Sequence, residues 1–206
     1  IWVSTWGRGL FLLSSDRHEL IASFLDGVTI QDIELDQWGN LWIAGNHNLY
    51  RYDATAKHVE KLSVSITGMM ALLYESSTQQ LLIGTAGGLM RMDVKSLEIS
   101  EFVDSERVQM KGINSLNVDR KGRIWAGSWT EGLYLSNSTR DRFEKFSLNP
   151  STNTVSTNYD TVLDIFIDKN DFVWVATGYG GVVKLSPRKS LSNIFHSFEN
   201  DIDIQD

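Results

Sequence analysis

The chain has 206 residues, of which 42% are hydrophobic and 22% charged, a balance that supports a packed core and argues against a disordered chain. A net charge of −7, with no block of Lys or Arg, argues against nucleic acid or an anionic membrane as a partner. Cysteine is absent, so neither disulfides nor thiolate metal sites are available.

One phrase recurs five times. A hydrophobic pair, usually ending in Trp, is followed by a small-residue turn and then a hydrophobic pair usually led by Gly. The copies run Ile1-Trp2-Val3-Ser4-Thr5 to Gly9-Leu10, Leu41-Trp42-Ile43-Ala44-Gly45 to Leu49-Tyr50, and Leu81-Leu82-Ile83-Gly84-Thr85 to Gly88-Leu89. Two more follow, Ile124-Trp125-Ala126-Gly127-Ser128 to Gly132-Leu133 and Val173-Trp174-Val175-Ala176-Thr177 to Gly181-Val182. The anchors at 2, 42, 82, 125 and 174 lie 40, 40, 43 and 49 residues apart. A period of about 40–45 residues with strand-like content is the signature of propeller blades.

The first copy begins inside its repeat, at a second strand. The second copy is complete. Val28–Asp36 alternates apolar and polar residues, as a half-buried strand does, with an irregularity expected near Asp32. Asp36-Gln37-Trp38-Gly39 follows as a type I turn, because Asp accepts backbone N–H groups and Gly tolerates positive φ. Leu41–Gly45 and Leu49–Asp53 are the next two strands, and residues from His58 to Ser63 form a weaker fourth. Later first strands are expected at Ile66–Glu75, Gly112–Asp119 and Tyr159–Asp168, and a last fourth strand near Phe195–Phe198. The turn returns as Asp119-Arg120-Lys121-Gly122 and as Asp168-Lys169-Asn170-Asp171. The third copy lacks it and carries Leu82 in place of Trp.

Four short strands per period make an antiparallel meander, and stacked blades bury the repeated Trp and Leu between neighbours. The expected fold is all-β: one β-propeller array over 1–206, with blades near 1–27, 28–64, 65–111, 112–158 and 159–206. The chain is read as a fragment of a longer protein. It forms either an open partial propeller or a five-bladed ring closed by Asn200–Asp206. With strands lettered A to D within a blade, the A–B turns share one face and the B–C and D–A connections the other. Binding in repeat folds sits where loops vary, so the B–C/D–A face is the expected recognition face.

The phrase running from Asp36-Gln37-Trp38-Gly39-Asn40-Leu41-Trp42-Ile43-Ala44-Gly45 through Tyr50-Arg51-Tyr52-Asp53, nearly matched by Asp119–Ser128 through Gly132-Leu133-Tyr134, resembles the two-component-regulator propeller repeat. The resemblance covers essentially the whole chain. It implies the periplasmic sensor region of a membrane-bound hybrid two-component histidine kinase or diguanylate cyclase, non-catalytic, signalling to a cytoplasmic output domain.

Candidate ligand-binding residues are the unusual ones of the B–C loops: Trp6, Arg8, His47, Asn48, Trp129, Glu131 and Tyr179. Aromatic faces stack on sugar rings and other flat ligands, while Arg, His, Asn and Glu orient them. The competing expectation is that Trp6, Trp129 and Tyr179 pack between blades at the rim. The anchor Trp residues are expected to be interblade core, and Asp36, Asp119 and Asp168 turn formers rather than calcium ligands. No catalytic residue, metal or cofactor is expected. The expected partners are an unidentified ligand, with carbohydrate the candidate class, other domains of the same receptor, and a second copy in a homodimer. Nucleic acid and membrane insertion are not expected. The alternatives are a protein-interaction propeller without a small ligand and a propeller lyase or hydrolase acting on polysaccharide.

Overall fold

The computed structural model describes residues 1–102, 110–146, 148 and 161–185. The described residues form only β-strands, turns and loops, arranged as β-propeller blades. Two compact units divide the chain, Ile1–Phe102 and Val103–Asp206.

The first unit holds three sheets. Sheet 1 is β1 (Trp2–Ser4), β2 (Leu10–Leu13) and β3 (Leu20–Phe24). Sheet 2 is β4 (Ile30–Leu35), β5 (Leu41–Gly45), β6 (Leu49–Asp53) and β7 (His58–Lys61). Sheet 3 is β8 (Met69–Glu75), β9 (Gln80–Thr85), β10 (Gly88–Asp93) and β11 (Ile99–Glu101). The second unit holds sheet 4, made of β12 (Ile113–Val118), β13 (Ile124–Ser128), β14 (Gly132–Ser136) and β15 (Phe143–Phe146). Its sheet 5 comprises β16 (Val162–Ile167), β17 (Val173–Thr177) and β18 (Gly181–Leu185). Each is an antiparallel meander in sequence order. The expected last strand near Phe195–Phe198, the segment Asn200–Asp206 and most of the 147–158 connection lie outside the described residues.

Strand alternation decides the packing. On β5, Leu41 and Ile43 face sheet 1, in a cluster with Leu10, Ile30 and Tyr52. The intervening Trp42 and Ala44 face sheet 3 and meet Met69, Leu72, Leu81, Ile83 and Met92. In the second unit, Trp125 and Leu133 pack against Val162, Ile165, Val175 and Val183 of sheet 5. Trp42 and Trp125 are thus interblade core, 1% and 2% exposed. Fully burying side chains of this size contributes on the order of 2–3 kcal/mol each.

The A–B turn does more than reverse the chain. Asp36 Oδ1 accepts the amides of Trp38 and Asn40 (both 2.9 Å), and Oδ2 accepts the indole Nε1–H of Trp42 at 3.3 Å. Asp119 repeats this with Lys121, Arg123 and Trp125, and Asp168 with Asn170, Phe172 and Trp174. One carboxylate therefore closes the turn and satisfies the only polar atom of the core Trp six residues on. Gly39 (φ 85°) and Gly122 (φ 76°) hold the left-handed position, and Asp171 (φ 66°) takes it in sheet 5. In sheet 3, four residues separate the paired Glu75 and Gln80, Leu82 needs no acceptor, and Glu75 stands where the other blades have Asp.

A bulge interrupts every described A strand, at Ile30/Asp32, Met69/Ala71, Ile113/Ser115 and Val162/Asp164. The irregularity expected near Asp32 is thus a property of the repeat. After the bulge, A-strand side chains clasp the free edge of the next A strand. In the first unit Asp32 Oδ2 accepts the Leu72 amide at 2.7 Å, and Glu34 Oε1 accepts the Tyr74 amide at 3.0 Å. At the matching place in the second unit, Ser115 Oγ accepts the Ile165 amide at 3.0 Å, and Asn117 Nδ2 donates to the Ile165 carbonyl at 3.2 Å.

Candidate functional site

The B–C loops are built on one local device. Strand B ends on Thr85, Ser128 or Thr177 in three blades, and in the first blade Thr5 directly follows β1. The hydroxyl caps the loop: Thr85 Oγ1 accepts the Gly87 and Gly88 amides, Ser128 Oγ those of Thr130 and Glu131, and Thr177 Oγ1 that of Gly180. Such short-range hydroxyl-to-backbone bonds stabilise tight loops. In the second blade Gly45 replaces the hydroxyl, and its own amide closes the loop on Asn48 O at 3.0 Å.

Each loop is also tied to the start of an A strand. Ala86 N–H donates to Gly68 O, Trp129 N–H to Gly112 O, and Gly178 N–H to Thr161 O. In the first blade Gly9 N–H donates to Val28 O, and a Cβ at Gly9 would lie 2.3 Å from both the Phe24 and Leu25 carbonyl oxygens. Only glycine fits there, so this loop is held rigidly against the D–A connection. Within each unit, the described B–C loops therefore lie beside the starts of the A strands, where the D–A connections end.

On these braced loops the large aromatics stand in solvent: Trp6 is 78% exposed, Trp129 53% and Tyr179 80%. Packing between blades does not account for them. Arg8 and His47 are exposed as well, while Asn48 and Glu131 are half-buried. Glu131 is committed to the scaffold, since its Oε2 accepts the Lys111 amide at 3.0 Å and the Tyr134 hydroxyl at 2.9 Å. Burial first, and then the Glu131 carboxylate, pushes the Tyr134 phenol up from its ordinary range. Asn48 makes one long contact, Nδ2 to Tyr50 Oη at 3.5 Å. Trp6 and Arg8 share one loop, His47 and Asn48 the next; Trp129 and Glu131 share a third, and Tyr179 stands on a fourth. No hydrogen bond or ring contact among the described residues joins two of the seven. Among the described residues there is also no group of three or more His, Asp or Glu placed to hold a metal ion.

Sequence reasoning missed two sets of polar residues. The capping hydroxyls at strand-B ends were legible as a recurring Ser/Thr. The clasp residues Asp32, Glu34, Ser115 and Asn117 were legible only as polar positions inside otherwise apolar strands. Their partners lie 40 to 50 residues away and depend on blade stacking.

The profile of the SMP-30/gluconolactonase/LRE-like region matches residues 39–139. No curated protein matches in sequence. Among solved structures, the chain is similar to one described as the extracellular domain of a hybrid two component system, BT4673 of B. thetaiotaomicron. The TM-score is 0.68 at 22% identity over 88% of this chain and 25% of that one. The corresponding domain of BT3049 from the same organism gives 0.70 at 22% identity, over 91% and 25%. PorZ, a surface component of the type-IX secretion system of Porphyromonas gingivalis, gives 0.70 at 21%, over 96% and 32%. The chain thus spans a quarter to a third of the length of these relatives, and at such identity the likeness is one of fold.

Proposed function

We propose that this chain is part of the extracytoplasmic sensor region of a bacterial membrane-bound signalling protein, built of two-component-regulator propeller repeats. It acts without catalysis, in the periplasm, and passes a ligand- or partner-dependent bias to a cytoplasmic kinase or cyclase domain. The observation that carries the reading is the contrast between the anchor Trp residues and the loop Trp residues. Trp42 and Trp125 are sealed between blades, whereas Trp6, Trp129 and Tyr179 stand exposed on rigidly braced loops of one face in each unit. Exposed aromatic side chains beside polar groups on one face suit the recognition of flat ligands or a partner surface. The fold likeness to extracellular domains of two-component systems supports the same reading. Signalling further requires that the bound species prefer one receptor arrangement over another.

The test is titration of glycans and other small molecules, followed by Trp fluorescence, on the wild-type chain and on Trp6→Ala and Trp129→Ala. A saturable response that either substitution removes supports ligand sensing. Turnover of a lactone or polysaccharide by the chain would overturn the non-catalytic part. A second reading, a protein-interaction propeller, draws on the likeness to PorZ; retention of a protein partner without any small-molecule response would favour it.

A further inference from the structure

The third blade lacks an ion pair that the second blade carries. On β6, Arg51 lies opposite Glu60 of β7. Its Nε–H donates to Glu60 Oε1 at 2.8 Å while the guanidinium stands 5.7 Å from the centre of the Trp42 ring. Arg91 of β10 holds the same place in the next repeat. Its guanidinium stands 4.8 Å from the centre of the Phe102 ring, but its register partner on β11 is Ser100. The Arg91 Nε is buried and has no hydrogen-bond partner. A guanidinium presents five N–H donors and cannot shed its charge, so a buried donor of this kind calls for an acceptor. Arg91 and Ser100 line a pocket of about 600 Å³, together with Gln80, Asp93, Ser96 and Glu98. Where the second blade supplies a carboxylate, the third therefore leaves space beside its arginine.

We propose that this pocket binds a free α-amino acid, whose carboxylate takes at Arg91 the place that Glu60 takes at Arg51. The lining sets the class of ligand. One cation stands among two carboxylates, Asp93 and Glu98, so a simple anion meets a net negative lining. A zwitterion, with an ammonium beside its carboxylate, meets both signs. Asp93 Oδ1 accepts the Ser96 amide at 2.8 Å and the Lys95 amide at 2.9 Å. Those bonds hold its carboxyl below the usual range and fix it on the turn between β10 and β11. Gln80, Ser96 and Ser100 add uncharged donors and acceptors. A carboxylate on a guanidinium forms paired, directional hydrogen bonds, which orients the ligand. The volume lies within the range of small-molecule sites. The pocket gathers the start of β9 and the β10–β11 turn, at the opposite strand ends from the B–C loop at Ala86-Gly87. It is thus separate from the loop aromatics, and its occupant need not be theirs.

Titration of the intact chain with each of the common L-amino acids, read at the Arg91 Nε–H resonance by proton–nitrogen NMR, tests the site. At least one amino acid should shift that resonance saturably, with a dissociation constant below about 10 mM. Acetate, a carboxylate alone, and methylamine, an ammonium alone, should each bind at least about tenfold more weakly than that amino acid. These wild-type comparisons need no variant. Ser100→Glu rebuilds the ion pair of the second blade and should weaken amino-acid binding by at least about tenfold. The proposal is overturned if no amino acid gives a saturable shift, if acetate binds as tightly as the best amino acid, or if Ser100→Glu binds undiminished.

Discussion

The junction between the second and third blades and the junction between the fourth and fifth bury the same kind of apolar face but finish it differently. In both, a Trp from strand B is sealed against the next sheet, and an Asp six residues earlier accepts its indole N–H. Trp42 carries Arg51 at 5.7 Å from its ring, held from the next strand by Glu60, whereas Trp125 carries Arg123 at 5.9 Å, held from the turn by Asp119. One junction is clasped by the Asp32 and Glu34 carboxylates, the other by the Ser115 hydroxyl and the Asn117 amide, with Asp164 accepting the Ser115 hydroxyl and the Ile165 amide. The repeat thus specifies where contacts fall, while local sequence decides which polar groups make them.

Substitutions at matched positions probe that parallel. Trp42→Ala and Trp125→Ala should each cost about 3–5 kcal/mol in chemical denaturation, because both remove a nearly fully buried indole. A cost well below that at either position would mean that its junction collapses around the cavity. Next come Asp36→Ala and Asp119→Ala, which open the turn and strand a buried indole N–H, at about 1–3 kcal/mol. Leu82 is 0% exposed and has no Asp in register, so Leu82→Trp should destabilise by about 1–3 kcal/mol through overpacking, although it restores the repeat's consensus residue.

The pH response separates the junctions further. Glu34 alone should make unfolding free energy fall by about 1–3 kcal/mol between pH 4.5 and pH 7, since the native state retains its proton over that interval. Comparing denaturant midpoints of wild type and Glu34→Gln isolates this contribution. Asp168 works in the opposite sense: burial opposes ionisation, but the Trp174 indole and the Asn170 and Phe172 amides outweigh it and hold the carboxyl below its usual range. Its contribution is present above the ordinary Asp value and is lost as pH falls through the lowered one. The smallest effects belong to the loop aromatics. Trp6→Ala and Tyr179→Ala should move stability by no more than about 0.5 kcal/mol in a thermal melt, because neither side chain is packed. A larger loss at either would show that it is part of the scaffold.

Much of this architecture was readable along the chain. The 40- to 49-residue spacing of the anchors marks one supersecondary unit repeated, and strand period two assigns Trp42 and Ala44 to one face and Leu41 and Ile43 to the other. Asp followed by Gly in the A–B turn follows from backbone preference alone, and Leu41–Gly45 and Leu49–Asp53 coincide with the strands found. The choice of B–C loops as candidate surface also follows from the meander, since alternate connections must fall on the same face.

What the chain could not reveal is whatever depends on a neighbour 40 to 50 residues away. The hydrogen bonds that Glu131 accepts from the Lys111 amide and the Tyr134 hydroxyl are a nearer feature of this kind. The solvent exposure of Trp6, Trp129 and Tyr179 is another, since the loop sequence alone allows packing at the rim. Asp32 and Glu34 read as ordinary polar positions of a half-buried strand until stacking set them against the edge amides of β8. Local pattern and backbone preference act through adjacent residues and are written in order. Burial, desolvation and interblade hydrogen bonds exist only once distant segments share a surface.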